Sequence, residues 1–196
     1  HLEKAKIKIM PLKFLDAGGS GTTADAISAI HYAVDQGAQV LNNSWGGPEY
    51  SAALHEAVAY AYEHKALFVV AAGNVGKNND LYPMYPSSFD TPNVLSVAAS
   101  TDWDRLASFS NYGLQSVHVA APGVSILSTF PGGEVSYLSG TSMAAPFVAG
   151  LAALALREAP GLSGFQIKEV ILGSGDSFDE FSKKTISGQR VKVVAT

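Results

Sequence analysis

A chain of 196 residues, 47% hydrophobic and 15% charged, has the length of one domain and the composition of a large core with few surface ion pairs. Its net charge of −4 leaves no basic patch, which argues against nucleic acid as a partner, and no apolar run reaches the roughly 18 residues that a membrane span needs. With no cysteine, disulfides, thiolate metal sites and a cysteine nucleophile are all excluded.

The first residues, His1-Leu2-Glu3-Lys4, carry no signal-peptide pattern. From Lys4 to Ile9 the chain alternates strictly, Ala5, Ile7 and Ile9 against Lys4, Lys6 and Lys8, which predicts a strand with one face in the core. Leu12, Phe14 and Leu15 continue it past Pro11, a residue that marks an edge or the end of pairing. Asp16 to Gly21 is a loop. Thr22 to Asp25 reads as a capping box, after which Ile27, Ile30 and Val34 recur at helical spacing until Gly37. Val40 to Asn43 reads as a short strand, and Ser44-Trp45-Gly46-Gly47-Pro48 as a loop. Ser51 opens a second helix with Leu54, Val58 and Ala61 inward.

Leu67 to Ala72 is continuously apolar, as a parallel strand covered on both faces is, and stops at Gly73-Asn74. Val75 to Thr91 is a long loop, of the kind that carries function in a compact domain. Asn93 to Ala99 and Val117 to Ala121 are further strands. Ser125 to Thr129 and Val135 to Leu138 flank Pro131-Gly132-Gly133 as a hairpin. A helix rich in Ala and Gly follows Ser142, and Phe165, Val170 and Ile171 suggest one more before a terminal strand from Gln189 to Val194. Strands alternating with helices predict an α/β fold with a mostly parallel sheet. Sites in such sheets form at the carboxyl ends of strands, where Gly18 to Gly21, Ser44 to Gly47 and Gly73-Asn74 fall.

Gly140-Thr141-Ser142-Met143-Ala144-Ala145-Pro146-Phe147-Val148-Ala149-Gly150 puts Ser142 at the first turn of a buried helix. Backbone N–H groups there lack internal partners and the helix dipole is positive, which suits a hydroxyl that carries an anionic acyl adduct. The plainer reading of such a serine is a helix cap. Asn74, directly after a buried strand, offers a carboxamide donor to a developing oxyanion; the plainer reading is a turn asparagine.

The eleven-residue string resembles the serine signature of the subtilase (subtilisin-like) peptidases, with Ala145 where that family has Ser or Thr and Phe147 where it has His. Ala71-Ala72-Gly73-Asn74 is similar to its oxyanion string, Ser44-Trp45-Gly46-Gly47 and Gly19-Ser20-Gly21 to its two groove walls, and Gly188-Gln189-Arg190-Val191 to its closing segment. The resemblance implies a three-layer α/β fold and a serine endopeptidase. Ser142 is then the nucleophile, and Asn74 with the Ser142 backbone N–H forms the oxyanion hole. The peptide substrate lies as an added strand between Gly19, Ser20 and Gly21 on one side and Ser44, Trp45 and Gly46 on the other. Trp45 covers an apolar substrate side chain or is a rim aromatic. The first specificity pocket lies between Ser44–Gly46 and Ala71, Ala72 and Gly73, without an acidic residue, and Met84 is a candidate for its floor; the residue before the cut is expected to be apolar or uncharged.

The resemblance covers the C-terminal two-thirds of the family domain and omits the part that carries the triad Asp and His. None of His1, His31, His55, His64 and His118 stands in the family's His motif, and each reads as a surface or satisfied histidine; Asp16, Asp25 and Asp80 read as turn and cap residues. The expectation is therefore a partial domain, inactive by itself, that takes its base from an upstream segment of the same protein. An exposed strand edge and the chance of self-association follow from that. The rivals are a non-catalytic peptide-binding module and, far behind, a nucleotide-binding domain, for which the Gly18–Gly21 loop lacks the spacing; Ser142 is not in the Gly-x-Ser-x-Gly elbow of an α/β-hydrolase. No cofactor is expected for the chemistry. Subtilases often hold structural calcium, but Asn78-Asn79-Asp80 reads more as a solvated turn, and no metal ligand is assigned. The family likeness implies a secreted protein.

Overall fold

The computed structural model describes residues 7–192. Its element order is α1 (Thr23–Asp35), β1 (Val40–Asn43), α2 (Ala52–Glu63), β2 (Leu67–Ala71), β3 (Val94–Ser100), β4 (Val119–Pro122), β5 (Ile126–Phe130), β6 (Glu134–Leu138), α3 (Thr141–Glu158), α4 (Gly164–Gly173), β7 (Asp176–Ser177), α5 (Asp179–Ser182) and β8 (Gln189–Arg190). The main sheet runs β1-β2-β3-β4-β8-β7, and β5 and β6 form a separate antiparallel hairpin. All pairings in the main sheet are parallel except β7 with β8.

The apolar run of β2 is explained by cover on both faces. Leu67, Val69 and Ala71 point into one core with Leu95, Val97, Val119 and the α3 and α4 residues Ala145, Val148, Ala152 and Ile167. Phe68 and Val70 point into a second core with Ile30 and Val34 of α1 and Leu54, Val58 and Ala61 of α2. Period-two alternation sends successive side chains of one strand to opposite helical layers, so both sets must be apolar. The fold is a three-layer α/β sandwich. Its two surface helices start on their own caps, Thr22 accepting from the Asp25 N–H and Ser51 from the Leu54 N–H.

Some expectations need correcting. Residues 7–15 form no strand: Ile9 is 91% exposed and nothing among the described residues pairs with this segment. Alternation predicts which way side chains point only if a neighbouring strand supplies the ladder, and among the described residues this segment has none. Lys4, Ala5 and Lys6, the start of the predicted strand, lie outside the described residues. The last helix is present, but its inner face is Ile167 and Ile171, four apart, while Phe165 and Val170 are exposed. The terminal strand is only Gln189–Arg190, with Val193 and Val194 outside the described residues. Among the described residues β1 ends the sheet, and beside it Ile7, Phe147 and Leu154 form an apolar surface on the outer face of α3. No described helix is long and apolar enough to cross a membrane.

Candidate active site

Helix α3 passes beneath β1, β2, β3 and β4 and starts at the carboxyl ends of those strands. Its N-cap is Gly140, so Ser142 is the second helical residue and does not cap the helix. Its hydroxyl donates instead to the Ser44 carbonyl at 3.3 Å, across the end of β1. The Ser44 hydroxyl returns the contact, donating to the Ser142 carbonyl at 2.9 Å. Pro146 explains why that carbonyl is free. A helical carbonyl normally accepts from the N–H four residues on, and proline has none. The proline in the signature thus opens an acceptor at the serine, and Ser44 fills it.

Asn74 follows β2 after Ala72 and Gly73 and faces the same helix tip. Its carboxamide oxygen accepts from the Thr141 N–H at 2.8 Å and the Thr141 hydroxyl at 2.9 Å. Those bonds fix which end of the amide is oxygen, so Nδ2 is turned outward as a donor. A methyl group on Gly140 would lie 3.5 Å from Asn74 Nδ2 and 3.6 Å from the Ser142 nitrogen. Both donors therefore border one small space, and glycine at 140 keeps it open. Gly73 is constrained on two counts: its φ is +114°, and a Cβ would sit 2.5 Å from Asn111 Nδ2.

The segments expected to line the groove take different structures. Gly46 and Gly47 run as a wall beside Tyr85: the Gly47 N–H donates to the Tyr85 carbonyl at 2.9 Å and the Tyr85 N–H to the Gly47 carbonyl at 2.7 Å. Gly19, Ser20 and Gly21 are exposed in the turn before α1, whose carboxylate Asp16 accepts from the N–H groups of Gly18 and Ser20. Trp45 is half-buried, packed edge-on to Phe14 at 5.3 Å and against the α1–α2 core. Ala71 and Ala72 are buried, and Met84 lies against Gly73, 3.6 Å from where a Cβ would be.

No described histidine is hydrogen-bonded to Ser142. His31 and His64 both stack on Tyr60, His55 pairs with Asp90 at 3.4 Å, and all three belong to the α1–α2 layer. The Tyr60 hydroxyl is pushed above its ordinary pKa by its hydrogen bond to Asp35. His118 is buried at the other end of the sheet, its Nδ1 accepting from the Ser96 N–H at 3.1 Å. Burial, with Lys168 nearby, holds its pKa down to about 3, so it stays neutral.

The loop Asn78-Asn79-Asp80 is held by internal hydrogen bonds. The Asp80 carboxylate accepts from the N–H groups of Leu114, Gln115 and Ser116 and from the Ser116 hydroxyl, and the Asn78 side-chain oxygen accepts from the Asp80 N–H. Asn79 is buried and bonded to Ala72 and Asn111.

The motif residues Ser142, Asn74, Ser44 and Gly73 are thus gathered at one place. The subtilase family profile matches residues 3–188. The chain belongs to the subtilase family. Among curated subtilases it is 44% identical over 169 residues to the thermophilic serine proteinase of Bacillus sp. strain AK1, which covers 86% of this chain and 40% of that protein. It is 40% identical over 177 residues to subtilisin DY of Bacillus licheniformis, 88% of this chain and 64% of the relative. It is 42% identical over 171 residues to thermitase of Thermoactinomyces vulgaris, 87% of this chain and 58% of that protein. A solved cold adapted subtilisin-like serine proteinase superposes with a TM-score of 0.80 at 33% identity, covering 89% of this chain and 64% of that one. The chain spans between 40% and 64% of these subtilases.

Sequence reasoning missed three groups at this site. Thr141, read only as part of the signature, orients Asn74 through two bonds. The carbonyl freed by Pro146 was legible from the four-residue spacing. Asn111, which fits against Gly73, carried no signal: an asparagine in a loop looks alike in sequence whether it is buried or wet.

Proposed function

We propose that this chain is the nucleophile-bearing part of a serine endopeptidase. Ser142 attacks the scissile carbonyl, and the oxyanion settles between Asn74 Nδ2 and the Ser142 N–H. The observation that carries this reading is the shared space beside Gly140, bordered by both donor nitrogens at 3.5 and 3.6 Å. The substrate backbone runs between Gly19-Ser20-Gly21 and Ser44-Trp45-Gly46. Its residue before the cut enters beside Ala71, Ala72 and Gly73 over Met84, where no acid awaits a basic side chain.

Among the described residues the Ser142 hydroxyl is held by a carbonyl alone, and a serine without a base is a poor nucleophile. The base and the carboxylate that orients it come, in this reading, from an upstream segment of the same protein. The open edge of β1 and the apolar face of Ile7, Phe147 and Leu154 support further polypeptide packing there, or self-association in its absence. By the same family reading the working enzyme acts outside the cell.

Labelling with peptide phosphonates, followed by mass spectrometry, tests this. Residues 1–196 alone should label slowly or not at all, and the protein with its upstream segment rapidly on Ser142. Probes with an apolar residue before the phosphorus should outpace those with Lys or Arg. Rapid labelling of residues 1–196 alone would place a base within this chain and overturn the need for an upstream partner. A preference for basic probes would overturn the pocket assignment.

A further inference from the structure

The oxyanion donor Asn74 is exposed, on a chain that leaves β2 and enters a long loop. A donor so placed acts in a transition state only if its backbone is fixed. Behind it lies a pair of asparagines that is 0% and 1% exposed, Asn111 and Asn79. The Asn111 side-chain oxygen accepts from the Val75 N–H at 3.0 Å and the Lys77 N–H at 3.2 Å. Its Nδ2 donates to the Asn79 side-chain oxygen at 2.8 Å. Asn79 Nδ2 in turn donates to the Ala72 carbonyl at 2.8 Å, and the Asn111 backbone N–H donates to the Gly73 carbonyl at 2.9 Å.

The backbone groups on both sides of Asn74, the carbonyls of 72 and 73 and the N–H groups of 75 and 77, thus all end on this pair. An apolar pair of the same size would strand the Ala72 carbonyl and the Val75 and Lys77 N–H groups without partners, at a desolvation cost for each such group. The pair is also uncharged, so its grip does not change with pH, and it is tight enough that residue 73 has no room for a side chain.

We infer that Asn111 and Asn79 are positioning residues that hold Asn74 in the geometry needed to stabilise the oxyanion. This rests on the reading of Asn74 as the oxyanion donor. Neither residue touches the reacting atoms, and both act through the loop.

A double-mutant cycle on the protein with its upstream segment separates that role from general support of the fold. Asn111→Ala should lower kcat by about 10- to 100-fold, the scale of a misplaced catalytic group, with KM changed by no more than about twofold. In an Asn74→Ala background the same change should cost almost nothing, because the donor it positions is gone. If Asn111→Ala does not fold, Asn79→Ser carries the same cycle, since it removes the link to Ala72 and leaves the bonds from Val75 and Lys77 in place. Equal losses in both backgrounds, or a rise in KM alone, would overturn the inference. An Asn74→Ala variant with unchanged kcat would instead overturn the oxyanion reading beneath it.

Discussion

At the carboxyl ends of β2 and β3 the buried polar groups are amides and hydroxyls: Asn79, Asn111, Ser110 and Thr141. At the amino ends of β3 and β4, besides the buried amide of Asn93 and hydroxyl of Ser96, two titratable groups form a second set, His118 accepting from the Ser96 N–H and Lys168 donating to the Pro92 carbonyl at 3.2 Å. The first set keeps its hydrogen bonds at any pH and suits a site whose geometry must not drift. The second set titrates, and each member is buried against its charged form. The sheet therefore separates two tasks: its carboxyl end holds the candidate catalytic geometry, and its amino end holds the pH dependence of the fold.

The largest effect that bears on this contrast is expected at Gly73. A side chain there meets Asn111 Nδ2 at 2.5 Å with the backbone at φ +114°. Gly73→Ala should cost about 2–5 kcal/mol in denaturant unfolding, from left-handed strain and overpacking together. A variant as stable as the parent would show that the clamp behind Asn74 is loose.

Next comes acid. The folded state keeps His118 unprotonated down to about pH 3, whereas the ordinary imidazole value is 6.5. Between those values the unfolded chain holds a proton that the folded chain does not, so stability falls as pH drops from 6.5 towards 3, by up to about 4 kcal/mol at the lower limit. His118→Gln should flatten this acid limb in unfolding measured across pH. An unchanged limb would mean that the acid sensitivity lies elsewhere.

The smallest effect is alkaline. Burial lowers Lys168 from 10.5 to about 8, with Glu169 opposing it, so the unfolded chain again holds the extra proton as pH rises between those values. Stability should rise across that window by at most about 3 kcal/mol. Lys168→Met should remove the rise and, by taking away the charge that adds to the burial of His118, make the acid limb somewhat shallower without abolishing it. Loss of both limbs on either substitution would fuse the two groups into one site.

What the sequence disclosed followed from local pattern. β2 was legible because cover on both faces forces an unbroken apolar run, and Ser142 and Asn74 because each sits in a string whose residues have separate reasons to be there. The clamp was not legible, because Asn79 and Asn111 lie 32 residues apart and meet only when the loop folds back. The segment from residue 7 to 15 misled for the opposite reason. Its alternation is genuine, but pairing is a property of the neighbour as much as of the strand. Phe165, Val170 and Ile171 pointed to α4, which is present, but did not tell that it docks through Ile167 and Ile171.

The central claim is that Ser142 and Asn74 serve one oxygen atom. A structure of the protein with its upstream segment, reacted with a peptide boronic acid, tests it most directly. The account predicts boron bonded to the Ser142 hydroxyl oxygen and one boronate oxygen within about 3 Å of both Asn74 Nδ2 and the Ser142 nitrogen. Boron on another residue, or that oxygen turned to solvent away from Asn74, would contradict it.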